Sequence, residues 1–407
     1  MFVPDPAGGE MPETAIAPSL PAVGTANRML SALWRRGLSE EPALQFDRLV
    51  RVALGDASTS DLDWAADWET PLRLLIDSLN REAALSPLGR TIAHALIVKA
   101  LRDRRRAIGL WRRHPEIGDR PVTAPVIVLG PMRSGTTRLQ RLLACDPRFV
   151  HTRLFETLSP VPLGGRVDLR PAAAAFGLRL LKLLNPALPA VHPTGAYAPE
   201  EEFGLFNLSF ASAQFEAQWR VPSFSRWWEA ADMGGVYSEF AMLIRTIGWA
   251  RGDAPDRTWL MKAPQFSQDL DALLDTFPDV RLIRLERDPA QVVGSSASLV
   301  WQQMRIQSDS ADPHWIGREW LRKFRLRQER TTAALEKRPD VRALTLHFNH
   351  VGSDWRAEIG RVYDFLGFTL SPEAEARMNR YVAGETAHLG HRYRLEQFGL
   401  TPAEVVG

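Results

Sequence analysis

Gly130-Pro131-Met132-Arg133-Ser134-Gly135-Thr136-Thr137-Arg138-Leu139 decides the architecture of this 407-residue chain. Before it runs Pro125-Val126-Ile127-Val128-Leu129, a short β-branched segment, and after it Leu139, Leu142 and Leu143 supply an apolar helical stripe. The order is strand, loop, helix. Gly130 and Gly135 have the spacing of a Walker loop, whose backbone N–H groups turn inward while the following helix adds its positive dipole end. A turn that uses glycines for geometry alone would share that spacing, but Arg-Ser-Gly-Thr-Thr in frame points to phosphate binding. Thr136 stands where the Walker lysine would be, followed by Thr137 at the Ser/Thr place. The cation sits inside the loop instead, at Arg133, where a planar guanidinium can face several oxygens. That arrangement suits a donor shorter than a triphosphate.

A second anion signal lies downstream. Val280-Arg281-Leu282-Ile283-Arg284-Leu285 reads as a strand, and Glu286-Arg287-Asp288-Pro289 opens a helix carrying Val292, Val293, Ser295, Ser296 and Ser298. Arg287 at the strand end and Ser295 two turns into the helix can grip one further phosphate, although Arg-Asp-Pro also serves as a plain helix cap. Trp259-Leu260-Met261 is another strand-like run, ending on Lys262, one of only five lysines. Lys262 reads either as a strand-end lysine that snorkels or as an ammonium held at the sheet edge beside the loop.

Strands near 125–129, 259–262, 280–285 and 341–348 alternate with helices, which predicts an α/β fold. It is a P-loop-type three-layer arrangement whose central parallel sheet is covered on both faces, with ligands at the strand C-terminal ends. Residues 1–24, rich in Pro, Ala, Gly and Glu, read as a flexible tail, residues 25–118 as a helical N-terminal region, and 119–407 as the α/β domain. The run Arg102, Arg104, Arg105, Arg106, Arg112 and Arg113 reads as the solvated face of a helix. Ala172–Leu184 is too short and too charged to span a membrane; it reads as an amphipathic, core-facing helix, with a lid or a surface contact with an apolar acceptor as the other reading. No stretch of the sequence has the length of a transmembrane segment.

Composition narrows the partners. The formal charge is only +2 and arginine outnumbers lysine forty-five to five, so cations are local and no field exists for nucleic acid. A single cysteine, Cys145, allows no internal disulfide and fits a reducing cytoplasm. His347 and His350 straddle a strand end, so the spacing predicts no metal site. Thirteen tryptophans, among them Trp219, Trp227, Trp228 and Trp249, suit an apolar acceptor pocket or an ordinary core.

Taken together, these motifs resemble the sulfotransferases that use 3′-phosphoadenosine 5′-phosphosulfate, in particular a bacterial branch sharing features with tyrosylprotein sulfotransferases. The resemblance implies that Arg133, Ser134, Gly135, Thr136 and Thr137 hold the 5′-phosphosulfate, and that Arg287 and Ser295 hold the 3′-phosphate. It also implies that Leu260-Met261-Lys262-Ala263-Pro264 forms the family's lysine element, and that the segment with His391, Arg392 and Tyr393 closes over the nucleotide. The implied partner is a small-molecule hydroxyl acceptor, and the tryptophans suit an apolar one; no metal is required, and the oligomeric state is open. The loop departs from the usual pattern by one extra residue, Met132, between proline and arginine. Gln265-Phe266 stands where many relatives carry a histidine, which removes a histidine base there.

Sulfuryl transfer to a hydroxyl needs a base, cations on the moving group and in-line positioning. The resemblance places the base near Glu156, between apolar Leu154 and Phe155; a carboxylate paired with Arg153 or capping a helix is the other reading. His151 and Glu201, the latter within Pro199-Glu200-Glu201-Glu202, stand in reserve. Competing functions are a P-loop kinase, against which the missing loop lysine argues, and a nucleotide-binding protein without catalysis.

Overall fold

The computed structural model describes residues 20–165, 167–188, 193–384 and 393–406. Five strands form one sheet: β1 (Val126–Leu129), β2 (Phe149–Val150), β3 (Thr258–Met261), β4 (Arg281–Glu286) and β5 (Arg342–His347). Their order is β2-β3-β1-β4-β5, and every pairing is parallel. β1 lies in the centre, with Ile127 opposite Met261 on one side and Leu282 on the other. Its four residues are all buried, which is why the sequence there is an unbroken apolar run.

Alternation along β1 divides the core into two layers. Ile127 and Leu129 pack with Phe240, Ile244, Phe266 and Phe277. Val126 and Val128 pack on the opposite face with Leu139, Leu142, Ile359 and Val362. Each such side chain contributes about 1.5–3 kcal/mol by leaving water. The covering helices used below are α1 (Pro21–Arg35), α2 (Pro87–Arg113), α3 (Thr136–Leu143), α4 (Arg170–Leu184), α5 (Pro289–Gln307), α6 (Pro313–Lys337) and α7 (Trp355–Leu366).

The helical N-terminal region joins the rest of the chain through a shared core. Leu72, Leu75, Ile97 and Leu101 pack with Phe210, Phe215, Trp219 and Phe224. Helix α1 starts at Pro21, so residues 21–24 are helical, not part of a tail; proline fits the first helical position because its missing N–H would be unpaired there anyway. The arginine run on α2 divides in two. Arg102, Arg105, Arg106, Arg112 and Arg113 are exposed, as a solvated face requires. Arg104 is buried and bidentate to Glu239, at 2.5 and 2.7 Å, and donates to the Leu62 carbonyl at 2.7 Å. A distant carboxylate converts one arginine of an exposed-looking run into an internal tie.

Helix α4 also departs from expectation. Only Arg170 and Ala174 are buried on it, while Phe176, Leu180 and Leu183 face outward, so it is not a core-facing helix. Among the described residues no helix is long and apolar enough to cross a membrane.

Candidate active site

The loop between β1 and α3 turns twice through left-handed backbone, at Arg133 (φ 71°) and Gly135 (φ 92°). Glycine is required at 135, because a Cβ there would overlap the Phe348 ring, and at 130 a Cβ would lie 2.8 Å from the Leu285 carbonyl oxygen. The Ser134 hydroxyl donates to the Pro131 carbonyl at 2.7 Å, which closes the turn. Gly135 is the N-cap of α3 and offers no side-chain acceptor to its first-turn N–H groups. A helix start of this kind is suited to an anion.

Arg133 and Arg287 bring the two anion motifs together. The Arg133 Nε–H donates to Ser295 Oγ at 3.1 Å, and Arg287 Nη1 donates to the Arg133 carbonyl at 2.7 Å. Ser296, next in line on α5, donates to the Met132 carbonyl at 3.1 Å. Arg287 is oriented by Gln291, whose Oε1 accepts at 3.1 and 3.0 Å, and lies 4.0 Å over the Phe348 ring. Burial, first, and then the charge of Arg287 hold the Arg133 guanidinium below its ordinary pKa; burial does the same to Arg287. Two partly desolvated guanidiniums on one wall create a strong local demand for negative charge.

Comparison with known proteins agrees with this geometry. The profile of the sulfotransferase family matches residues 125–372. The chain belongs to the sulfotransferase family. Two solved structures are similar over most of its length: sulfotransferase STF1 from Mycobacterium tuberculosis H37Rv, with 26% identity, TM-score 0.77 and coverage of 90% of this chain and 98% of the other; and sulfotransferase STF9 from Mycobacterium avium, with 26% identity, TM-score 0.78 and coverage of 90% and 95%. No functionally curated protein matches the sequence.

The lysine absent from this sulfotransferase's loop arrives from another strand. Lys262 follows β3, is 1% exposed, and its Nζ donates to Thr137 Oγ1 at 3.1 Å and to the Glu201 carboxylate. Its backbone N–H donates to Glu202 Oε2 at 2.9 Å. Glu202 is fully buried, and desolvation pushes its pKa up to about 8. The Thr152 hydroxyl lies within donating distance of Glu202 Oε1, at 2.7 Å, and of the Glu200 carbonyl, at 2.9 Å, and its bond to Glu202 opposes the upward shift without cancelling it.

Glu156 has structural partners. It is 1% exposed, accepts from its own helix N-cap, Arg153 N–H, at 2.8 Å, and is gripped by Arg251, whose Nε donates at 2.6 Å. Arg251 lies on the helix Gly234–Arg251, nearly a hundred residues away in sequence. His151 is largely buried near that arginine, and burial lowers its pKa to about 4; its Nδ1 has no hydrogen-bond partner among the described residues. Glu201, whose side chain is 16% exposed, is thus the carboxylate that meets both Lys262 and, through it, the loop. Gln265 is fully buried, accepts from Ala213 N–H at 3.0 Å and donates to the Ala211 carbonyl at 2.9 Å, so its amide braces the two backbone segments. His391 and Arg392 lie outside the described residues. Phe348, Thr152 and Glu202 were not singled out by sequence; the run of three glutamates was the one visible sign of a charged locus there.

Proposed function

We propose that this sulfotransferase moves the sulfuryl group of 3′-phosphoadenosine 5′-phosphosulfate to the hydroxyl of a small acceptor by in-line displacement. The observation that carries the reading is the interlock of Arg133 with Ser295 and of Arg287 with the Arg133 carbonyl, which makes the two anion motifs one continuous wall. Arg133 and the Ser134–Thr137 backbone would hold the phosphosulfate, and Arg287 with Ser295 the 3′-phosphate, as their guanidinium and hydroxyl donors suit. Glu201 would accept the proton of the attacking hydroxyl as its oxygen bonds to sulfur and the sulfur–oxygen bond to the phosphate breaks. Lys262, shared between Glu201 and Thr137, would stabilise the charge that grows on the departing phosphate oxygen. Glu156 would serve as the tie that fixes the Leu154–Leu158 helix to Arg251 rather than as the base.

The direct test is transfer of labelled sulfate from the donor to a panel of alcohols and phenols, read as a mass gain of one sulfate. 3′-Phosphoadenosine 5′-phosphate should raise the melting temperature with no magnesium present. A rise with ATP and magnesium instead, without any sulfate transfer, would move the chain to phosphoryl chemistry.

A further inference from the structure

Of fourteen large apolar side chains exposed among the described residues, ten lie in two stretches, residues 29–38 and 158–183. On α4 the exposed set is Phe176 (68%), Leu180 and Leu183 (66%), at helical positions that share the outer face. Val167 and Leu169 continue it at the approach to the helix. Helix α1, which packs against α4, shows Met29 (62%) and Leu33 one turn apart on its own outer face. Such concentration exceeds the single scattered apolar residues of an ordinary surface.

The charges on the same two helices are all of one sign. Arg28, Arg35 and Arg36 on and just after α1, and Arg179 and Lys182 on α4, are exposed. Neither residues 20–38 nor residues 169–188 contain an aspartate or a glutamate, in a chain with 48 acidic against 50 basic residues. Asp168, just before α4, is locked to Arg170 at 2.7 Å, and Glu41, beyond the end of α1, is paired with Arg90 at 2.9 Å. An isologous contact with a second copy would set these cations against themselves. A bilayer bearing anionic headgroups satisfies both properties at once, because apolar side chains enter the acyl boundary while the cations stay at headgroup depth.

We propose that the outer face of α4 with α1 docks this protein on an anionic lipid bilayer. Leu181, on the inner side of α4, packs with Leu188 and Leu299 against Met132 of the anion loop. The docking face and the loop therefore lie on opposite sides of one helix, about 10 Å thick. The docking needs neither donor nor acceptor, and its test is independent of sulfuryl transfer.

The test is flotation of the full chain with vesicles of phosphatidylglycerol and phosphatidylcholine, compared with phosphatidylcholine alone. Binding should be at least tenfold greater on the anionic vesicles and should weaken as salt rises from about 0.1 to about 0.5 M. Replacing Arg179 and Lys182 together by serine should lower partitioning roughly thirtyfold, from about a fivefold loss per cation. Phe176→Ser with Leu183→Ser should lower it at least tenfold, with melting temperature unchanged because all four sites are exposed. Absence of flotation on anionic vesicles overturns the proposal, as does flotation that neither pair of substitutions weakens. A dimer in solution that these substitutions dissolve, with no vesicle binding, would assign the face to a second copy and equally overturn it.

Discussion

Lys262 and Lys323 are each 1% exposed and each paired with glutamate, yet their surroundings differ in kind. Lys323, on α6, donates to Glu216 at 2.5 Å and to Glu229 at 3.2 Å, and Arg327, one turn on, takes the other Glu216 oxygen at 2.6 Å. Every charge there is answered within the fold. Lys262 instead spans a partly exposed carboxylate and a hydroxyl at the start of α3, where the anion loop begins. Burial of a lysine is common to both regions; what separates them is that the Lys262 network reaches the loop between β1 and α3, which is why the proposed chemistry is assigned there and not to Lys323.

The contrast can be broken by substitution. The largest effect expected is on turnover with Glu201→Gln, about 10²–10⁴-fold, the range for loss of a positioned base, while binding of 3′-phosphoadenosine 5′-phosphate persists. Glu156→Gln should instead lower stability and leave turnover of the folded enzyme within about threefold; the opposite ranking in steady-state assays would return the base to Glu156. Lys323→Ala should cost about 3–5 kcal/mol in urea unfolding because it strands buried carboxylates. Lys262→Ala should cost about 10²–10³-fold in kcat with a smaller loss of stability, so equal patterns for the two lysines would erase the distinction drawn between them.

Smaller effects sharpen it. Arg287→Ala should weaken 3′-phosphoadenosine 5′-phosphate by about 1.5–3 kcal/mol, measured by calorimetry, and barely affect binding of adenosine 5′-phosphate, which lacks the 3′ group. The least effect concerns Glu202, whose pKa rises from 4.5 to about 8 on burial. Its folded form keeps the proton that the unfolded chain gives up, so its contribution to stability is fully present below pH 4.5 and is lost as pH climbs to about 8. Glu202→Gln should flatten that part of the pH profile of the unfolding midpoint; an unchanged slope would mean the carboxyl is already ionised in the folded protein.

How much of this was legible in sequence follows from the range of the forces involved. The loop, β4 with Arg287 and Ser295, and the strand leading to Lys262 rest on local patterns, and the structure places them side by side at the C-terminal ends of β1, β3 and β4. β2 escaped because two residues, Phe149 and Val150, carry no periodicity; they are a strand only because β3 pairs with them. The pairings of Glu156 and of Arg104 escape a sequence reading for one reason. Arg251 and Glu239, which claim them, lie 95 and 135 positions away, and no local pattern announces such partners. For α4 the helix itself was legible, but amphipathicity does not say whether the apolar face meets protein or something else.

Phe348 gives the site a hinge point that neither motif contains. Its ring fills the space a side chain at Gly135 would need and also forms the floor beneath the Arg287 guanidinium. One added methyl at position 135 would push that ring toward the Arg287 guanidinium, so a single substitution in the loop would reach the second anion motif without touching any of its residues.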